Sequence, residues 1–417
     1  MSFSTPACPR GLALLTVGSL IAGVGVFATT TANAATPCAS RVTNLSQDSA
    51  QRFASGSKLK RFSASVDYPD GGNTWRDSSG KVLLTTYPAN AYPTLLNSKI
   101  GNRVKTGDMV KSQVPQAVSA INGDFYITPT VRGKTLELAR GAMVKNGRII
   151  RADRNRTRLV GVDVNKNPFG GWFGVRGNIQ VGTAPAVDIQ GVNWQKVQGG
   201  GVTIYTTDWN ASSTTPRPAG AAEWVINGHN KISQVRSSTK NTGQLGAPVA
   251  SGTRVIAFSD NWALVGSGGV VGNRVKVNMR QSTDTGVKLD SALGRGLPLV
   301  EKGVSAPAGC DAYADKSARP RTIVGWTKSG VWRTVTVPGK LFTGPGLRNG
   351  GFGLSNAAAL AKKLGLYNAY ELDGGGSTTL YTKSNGGKWS RRDLYGLDTS
   401  TGTYEREVVN GLAFMVP

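Results

Sequence analysis

The residues best suited to chemistry lie in one short block, Glu371-Leu372-Asp373-Gly374-Gly375-Gly376-Ser377-Thr378. On a β-strand, Glu371 and Asp373 would point to the same face, because side chains alternate along a strand. Three successive glycines allow a close backbone approach to a ligand, and successive N–H groups in such a turn can hold an anion. Two carboxylates beside such a turn suit displacement at a sugar carbon that carries a phosphate. The alternative interpretation is an acidic hairpin with a glycine bulge.

The remaining side-chain types exclude several classes of reaction. His229 is the only histidine, so Ser-His-Asp catalysis and histidine-based zinc sites have almost no material. It lies in Asn-Gly-His-Asn, which predicts a turn residue rather than a base. Carboxylates must therefore carry any acid–base or nucleophilic chemistry. A further candidate is Asp124, in the polar loop Asn122-Gly123-Asp124 that follows an apolar stretch over residues 116–121.

Residues 1–34 have the features of a signal peptide. Arg10 precedes an apolar run, and Ala32-Asn33-Ala34 fits the small-x-small cleavage pattern. A membrane anchor is the alternative, because the run is near the lower length limit for a spanning helix. We expect cleavage after Ala34, and hence a secreted, extracellular or cell-wall-associated protein without stable membrane insertion. In that oxidising compartment, a disulfide between Cys38 and Cys310 is favoured over two separate thiols.

The chain is strongly basic, with 49 Lys and Arg against 24 Asp and Glu and a formal net charge of +25. Inside a cell this balance would indicate nucleic acid. An exported protein meets anionic envelope polymers instead, and a large positive charge steers such partners towards it. We therefore expect a sugar-phosphodiester substrate or an anionic cell-wall polymer as partner, and no nucleic acid. Charge that serves only solubility is the simpler alternative.

Composition predicts a strand-rich chain with few helices. Short runs of Val, Ile, Thr, Tyr and Trp alternate with turn residues, and there are 55 glycines. One helix is predicted over residues 354–364, with Ser355 as N-cap and Gly365 as its stop. Strands are predicted over 367–372 and 378–381, on either side of the glycines. Residues 35–60 have no clear period and are interpreted as an extended leader.

Three blocks occur in a recognisable order: Ala120-Ile121-Asn122-Gly123-Asp124-Phe125-Tyr126, Arg319-Pro320-Arg321-Thr322-Ile323-Val324-Gly325, and Glu371 to Thr379. Together they resemble the phosphodiester glycosidase family, over roughly residues 115–417. The resemblance implies an α+β fold, strand-rich with central mixed or antiparallel sheets. It also implies removal of an α-linked N-acetylglucosamine-type sugar from a phosphodiester. The expected organisation is a signal peptide over 1–34, an N-terminal strand-rich extension over 35–114, and a catalytic domain over 115–417. The extension either adds strands to the main domain or forms a small separate lobe.

The resemblance also implies a set of residues that bind substrate and phosphate: Asn122, Arg321, Thr322, Gly374, Gly375, Gly376, Ser377, Thr378, Arg406 and Asn410. The sequence departs from the pattern of the family's lysosomal member at Asp124 and Glu371, which are acidic here. Either these carboxylates serve a metal or a different sugar, or they are structural.

The resulting hypothesis assigns the catalytic role to Asp373, acting on the sugar C1 as nucleophile or as base for water. Asp124 and Glu371 are second candidates. Arg321 would hold the phosphate through its planar guanidinium, and Asn122 would orient a sugar hydroxyl or acetamido group. The phosphate is a good leaving group and needs little help from a general acid. This mechanism requires no cofactor, and a divalent cation stays an open alternative. Two alternatives stay open: a non-catalytic binder of anionic cell-wall polymers, and a phosphodiesterase that cuts the P–O bond with a divalent cation held by the three carboxylates.

Overall fold

The computed structural model describes residues 40–69, 75–131, 134–196, 200–209, 222–237, 248–258, 269–294, 296–306, 319–338, 340–341, 348–349, 351–393 and 405–417. The expected signal peptide, Cys38 and Cys310 lie outside the described residues. Cleavage after Ala34 and the disulfide therefore stay predictions. Within the described residues, no helix combines the length and the apolar character needed to cross a bilayer.

The chain folds as a strand-rich α+β protein, as predicted. Two α-helices, α1 (Thr106–Gln113) and α2 (Leu354–Lys363), accompany thirty strands in the described ranges. The strands are numbered here in chain order. The described strand pairs are antiparallel, apart from the parallel pairing of β14 (Val187–Val192) with β15 (Val202–Tyr205).

An eight-stranded sheet forms one part of the core. Its spatial order is β1 (Arg41–Arg52), β2 (Lys58–Pro69), β3 (Trp75–Thr86), β24 (Trp332–Val337), β23 (Arg321–Trp326), β27 (Asn368–Glu371), β21 (Leu297–Glu301) and β22 (Val304–Ser305). Helix α2 packs against this sheet through its apolar face, where Leu360 and Ala361 are fully buried. The helix therefore covers the sheet that carries two of the three sequence blocks.

A five-stranded sheet carries the remaining block. Its order is β29 (Trp389–Arg391), β28 (Leu380–Lys383), β5 (Ser119–Asn122), β30 (Asn410–Met415) and β4 (Tyr92–Asn97). Helix α1 packs on this sheet through Met109 and Val110. Strands β27 and β28 belong to different sheets, so the glycine block is the connection by which the chain crosses from one sheet to the other.

The largest sheet has eleven strands. Its order is β17 (Ile232–Ser237), β16 (Ala222–Ile226), β18 (Arg254–Phe258), β15, β14, β11 (Arg148–Asp153), β10 (Met143–Lys145), β20 (Leu289–Gly294), β12 (Thr157–Asp163), β13 (Pro168–Val181) and β19 (Val275–Thr283). The long strand β13 also pairs with β14, which closes six of these strands into a ring. Three short pairs complete the strands: β6 (Tyr126–Ile127) with β9 (Leu138–Ala139), β7 (Thr130–Val131) with β8 (Lys134–Thr135), and β25 (Lys340–Leu341) with β26 (Arg348–Asn349).

The helix prediction was right in position and wrong at its start. Gly353, with extended backbone, is the N-cap of α2, whereas Ser355 lies inside the first turn. Gly365 has φ of +78° and ends the helix as predicted. Helix α1 was not predicted, because its eight residues, Thr-Gly-Asp-Met-Val-Lys-Ser-Gln, lack a helical apolar repeat and bury a threonine and a glycine.

The interpretation of residues 35–60 as an extended leader was wrong from Arg41 onwards. Strand β1 pairs with β2 along its whole length, from Arg41 opposite Asp67 to Arg52 opposite Lys58. Its side chains are mostly exposed, so it has no strong alternating apolar pattern to reveal it. Strands β1 to β3 join the eight-stranded sheet through β24 and so add strands to the main sheet. The functional division at residue 114 stays a prediction.

Candidate active site

Four strand ends bring the three sequence blocks together. Strand β5 ends at Asn122 and β27 ends at Glu371, while β23 begins at Arg321 and β30 begins at Asn410. Antiparallel pairing places the end of one strand beside the start of its neighbour. Gly411 accordingly lies opposite Asn122, and Ile323 lies opposite Glu371. The site is therefore formed where the five-stranded and eight-stranded sheets meet.

Asn122 is a fully buried cross-link between the three blocks. Its amide Nδ2 donates to the Asp373 carbonyl oxygen at 2.7 Å. Its Oδ1 accepts from the Thr322 hydroxyl at 2.7 Å and from the Thr379 N–H at 3.0 Å. The Gly123 carbonyl completes the contact by accepting the Asp373 N–H at 2.8 Å. These bonds fix the backbone on either side of Asp373. They also occupy the amide groups of Asn122, which was expected to orient the sugar.

Asp124 is buried, and its carboxylate is hydrogen-bonded to the backbone rather than exposed to solvent. Its Oδ2 accepts the Gly141 N–H at 2.6 Å, and its own N–H donates to Asn410 Oδ1 at 2.7 Å. Burial lowers the pKa of Arg151 to about 9, and the charge of Asp124 opposes this lowering. A Cβ at Gly123 would come within 2.2 Å of Asn410 Oδ1, so only glycine fits there. Asp124 thus has the environment of a structural counter-charge.

Arg321 and Glu371 form a buried ion pair. Arg321 Nη1 donates to Glu371 Oε1 at 2.5 Å, and the two side chains are only 5% and 1% exposed. Arg321 Nε donates to the Phe352 carbonyl at 2.8 Å. Two sides of the guanidinium are therefore engaged within the protein. The predicted two-point contact of Arg321 with phosphate would have to share these groups.

The three glycines are required for different steric reasons. A Cβ at Gly374 would lie 2.6 Å from the Pro320 carbonyl oxygen, and Gly375 has φ of +60°. A Cβ at Gly376 would lie 2.7 Å from Cζ and Nη2 of Arg406. The Arg406 guanidinium therefore packs directly on the backbone of this glycine. The sequence-based reasoning foresaw a close approach at this turn, and the protein itself supplies one of the approaching groups.

The turn leaves fewer N–H groups available to bind an anion than the sequence-based prediction requires. It forms a 3₁₀ turn over Gly375–Ser377, and the N–H of Gly375 donates to the Pro320 carbonyl at 2.9 Å. The N–H groups of Ser377 and Thr378 donate to turn carbonyls at 3.2 Å each. The predicted anion-holding role of these N–H groups therefore has weaker geometric support than the arginine beside them.

Asp373 has the electrostatic environment of an acid–base group. Burial raises the pKa of its carboxyl from 3.8 to about 6, against the opposing effects of the Ser377 hydroxyl, the Arg406 charge and the Gly374 N–H. Ser377 Oγ is close enough to lower this pKa, although no hydrogen bond of standard geometry joins it to another side chain. A carboxyl with a pKa of about 6 changes protonation near neutral pH, as acid–base catalysis requires.

Glu405 was missed by the sequence-based reasoning and anchors the segment that carries Arg406. Its Oε1 accepts the Gly107 N–H at 3.2 Å, and its Oε2 accepts the Tyr381 hydroxyl at 2.6 Å. The available signal was its position directly before the predicted Arg406. Arg406 itself is partly exposed. Of the predicted residues, Asp373 and Arg406 thus form the part of the site that combines charge with access to solvent.

The other predicted residues are placed as follows. Thr322, Ser377 and Thr378 are fully buried, and Asn410 is fully buried with Nδ2 directed at Met143 Sδ at 3.2 Å. In the ranges that the structure describes, no group of three or more His, Cys, Asp or Glu side chains has a metal-binding arrangement. His229 is exposed in the turn between β16 and β17, where its N–H donates to Asn227 Oδ1 at 3.0 Å, as the turn prediction requires.

Residues 220–415 match the family model of the phosphodiester glycosidases, so the resemblance inferred from the sequence is confirmed over this part of the chain. The matched range contains the Arg-Thr block, the glycine block, Arg406 and Asn410, whereas Asn122 and Asp124 precede it. A comparison with curated proteins found no match.

Two bacterial structures share the fold. A hypothetical protein from Synechocystis has a TM-score of 0.62 and 16% identity, covering 91% of this chain and 81% of its own. A protein described as a candidate exported protein of Burkholderia pseudomallei K96243 has a TM-score of 0.68 and 16% identity, covering 91% and 98%. The catalytic domain of zebrafish N-acetylglucosamine-1-phosphodiester alpha-N-acetylglucosaminidase, in a form auto-inhibited by its pro-peptide, is 15% identical and covers 88% of each chain. Its TM-score is 0.42.

Proposed function

We propose that this chain is a secreted phosphodiester glycosidase that hydrolyses the bond between a sugar C1 and a phosphate oxygen in an anionic envelope glycan. The family match supports the reaction class. The observation that carries the proposal is the pairing of Asp373, whose pKa is raised to about 6, with Arg406 packed on the adjacent Gly376. A titratable carboxyl beside a fixed cation is suited to a substrate with a reacting carbon and an anionic leaving group.

In this proposal Asp373 acts on C1, as nucleophile or as base for the attacking water. Arg406 contacts the phosphate, whose negative charge grows as the C–O bond breaks. Arg321 holds Glu371 and the Phe352 carbonyl, and thereby fixes the two strand ends behind Asp373. Asn122 holds the backbone of Asp373 in place. The assignment of phosphate binding moves from Arg321 to Arg406 because Arg406 is the more exposed of the two.

The P–O-cleaving alternative needs oxygen ligands for a cation. Asp124 is bound by the Gly141 N–H, and Glu371 is bound by Arg321. Because these two carboxylates are engaged by protein partners, the described residues favour C–O cleavage.

The position of bond cleavage tests the reaction directly. The full chain would be incubated with the methyl phosphodiester of α-N-acetylglucosamine 1-phosphate in water labelled with heavy oxygen. We expect the label in the released sugar, and methyl phosphate without label. Label in the phosphate product would overturn the proposal in favour of P–O cleavage, and binding without turnover would favour the non-catalytic alternative.

The Asp373→Asn variant tests the assigned residue. We expect kcat to fall by about 10²- to 10⁴-fold, the range for loss of a general acid–base group. Asp188→Asn is the matched control, because Asp188 is 53% exposed and pairs with Arg154 on the surface. Full activity in Asp373→Asn would remove Asp373 from the mechanism.

A further inference from the structure

A charged cavity is lined by residues of the eleven-stranded sheet, which is a different sheet from the strands on either side of Asp373. Its volume is about 650 Å³. The end of β13, the start of β18, the start of β19 and the turn between β16 and β17 enclose it. Its polar and charged lining side chains are Gln180, Asn230, Arg254, Arg274 and Lys276. Val275 and Val277 supply the apolar part of the lining.

Among the described residues, the lining carries three cations and no carboxylate. In the part of the chain that the structure describes, Arg254, Arg274 and Lys276 form no ion pair with Asp or Glu. Lys231 adds a further positive charge directly opposite Arg274 in an antiparallel bridge. Like charges placed opposite each other destabilise a sheet. Binding of an anion beside Arg274 would reduce this repulsion.

The walls of the cavity are fixed by hydrogen bonds. The Val275 N–H donates to the Asn230 carbonyl at 2.7 Å, and the Ile232 N–H donates to the Asn273 carbonyl at 2.9 Å. Arg254 Nη2 donates to Asn230 Oδ1 at 2.8 Å. A ligand would therefore meet a preformed site and would not have to order these segments on binding.

We propose that this cavity binds the phosphate groups of a phosphodiester-linked polyol or glycan chain, separately from the candidate active site. Arginine and lysine bind phosphate through charge-assisted hydrogen bonds. The amides of Gln180 and Asn230 can hydrogen-bond to hydroxyl groups. The described lining residues include no aromatic side chain, whereas proteins that hold single-stranded nucleic acid stack its bases on aromatic rings. The chemistry thus favours a polyol phosphate over nucleic acid.

Binding of a fluorescent oligomer of glycerol phosphate tests the proposal without any need for turnover. The double variant Arg274→Gln/Lys276→Gln removes two lining charges, and we expect it to weaken binding about tenfold or more at low salt. The slope of log affinity against log salt should fall by about 2, since each removed phosphate contact lowers it by about 1. Hydrolysis of the small methyl phosphodiester should be unchanged, because these side chains lie in a different sheet from Asp373.

The matched control is Lys328→Gln/Lys388→Gln, which removes the same charge from exposed turns of the other two sheets. We expect this control to weaken binding less than twofold. Equal weakening by both variants would show diffuse attraction to a basic surface and would overturn the proposal. Binding of an oligonucleotide with equal charge at the same strength, lost in the cavity variant, would reassign the cavity to nucleic acid. Failure of the hydrolysis assay would leave the binding result unaffected, so the two proposals fail separately.

Discussion

At the scale of single residues, burial decides which carboxylates can react. Asp124, Glu371 and Asp373 are all carboxylates that the sequence offers as catalytic candidates. In the fold, Asp124 accepts a hydrogen bond from a backbone N–H, and Glu371 accepts one from the Arg321 guanidinium. Both carboxylates are about 1% exposed. Asp373 is the one of the three that is partly exposed, and burial raises its pKa to about 6. Of the three carboxylates, two therefore have structural environments and one has an environment that suits the proposed chemical role.

The raised pKa of Asp373 predicts a pH-dependent cost to stability. The pKa rises from 3.8 to about 6 on folding, so the group's favourable contribution is complete below pH 4 and is lost as pH rises through 6. Asp373→Asn should therefore gain unfolding free energy relative to the wild type between pH 4 and pH 8, by up to about 3 kcal/mol at 1.36 kcal/mol per unit. Urea denaturation at both pH values measures this gain. A difference between the two proteins that does not change with pH would contradict it.

The Arg321–Glu371 pair predicts strong coupling between two mutations. Removing one partner leaves the other charge buried and unpaired, which costs about 3–5 kcal/mol. Arg321→Met and Glu371→Gln should each destabilise the protein by this order, and the double variant should cost clearly less than their sum. Denaturation of all four proteins in a double-mutant cycle gives the coupling energy. Additive effects would show that the two side chains act independently.

At the scale of elements, the glycine turn connects two sheets and packs against an arginine. Strand β27 ends in the eight-stranded sheet, and β28 begins in the five-stranded sheet. Between them, Gly376 leaves the space that the Arg406 guanidinium occupies. The turn therefore determines where the cation stands relative to Asp373.

Gly376→Ala tests this arrangement. The added Cβ would lie 2.7 Å from the Arg406 guanidinium, so the arginine must shift. We expect kcat/KM for the methyl phosphodiester to fall about tenfold or more with the fold retained, as seen by circular dichroism. Gly386→Ala is the control, because its Cβ would meet only Ser384 Oγ at 3.9 Å. Unchanged activity in Gly376→Ala would show that the position of Arg406 does not matter.

At the scale of the whole molecule, the net charge of +25 favours encounter with anionic polymers. Such attraction is screened over about 8 Å at physiological ionic strength. We expect kcat/KM for a polymeric sugar-phosphodiester substrate to fall severalfold between about 50 and 200 mM salt, and kcat/KM for the small methyl phosphodiester to change less. Parallel salt titrations measure both. Equal salt dependence for the two substrates would place the effect in the active site rather than on the surface.

The resemblance to a family grouped the three blocks into one site. The sequence by itself also determined the strand-rich class, helix α2 and the turn at His229. These features follow from local pattern, because alternation, turn residues and helix stops act over a few neighbouring positions. It did not reveal helix α1 or strand β1. Their stability comes from packing and pairing with distant segments, as in the register of β1 with β2.

Only the tertiary structure decided the environments of the residues within the site. Exposure, pKa and ion pairing depend on groups far apart in the chain, such as Arg321 with Glu371 and Gly376 with Arg406. The sequence lists the charges, but the fold sets the distances between them and the water around them. Those two quantities separate a buried structural carboxylate from one that can exchange a proton.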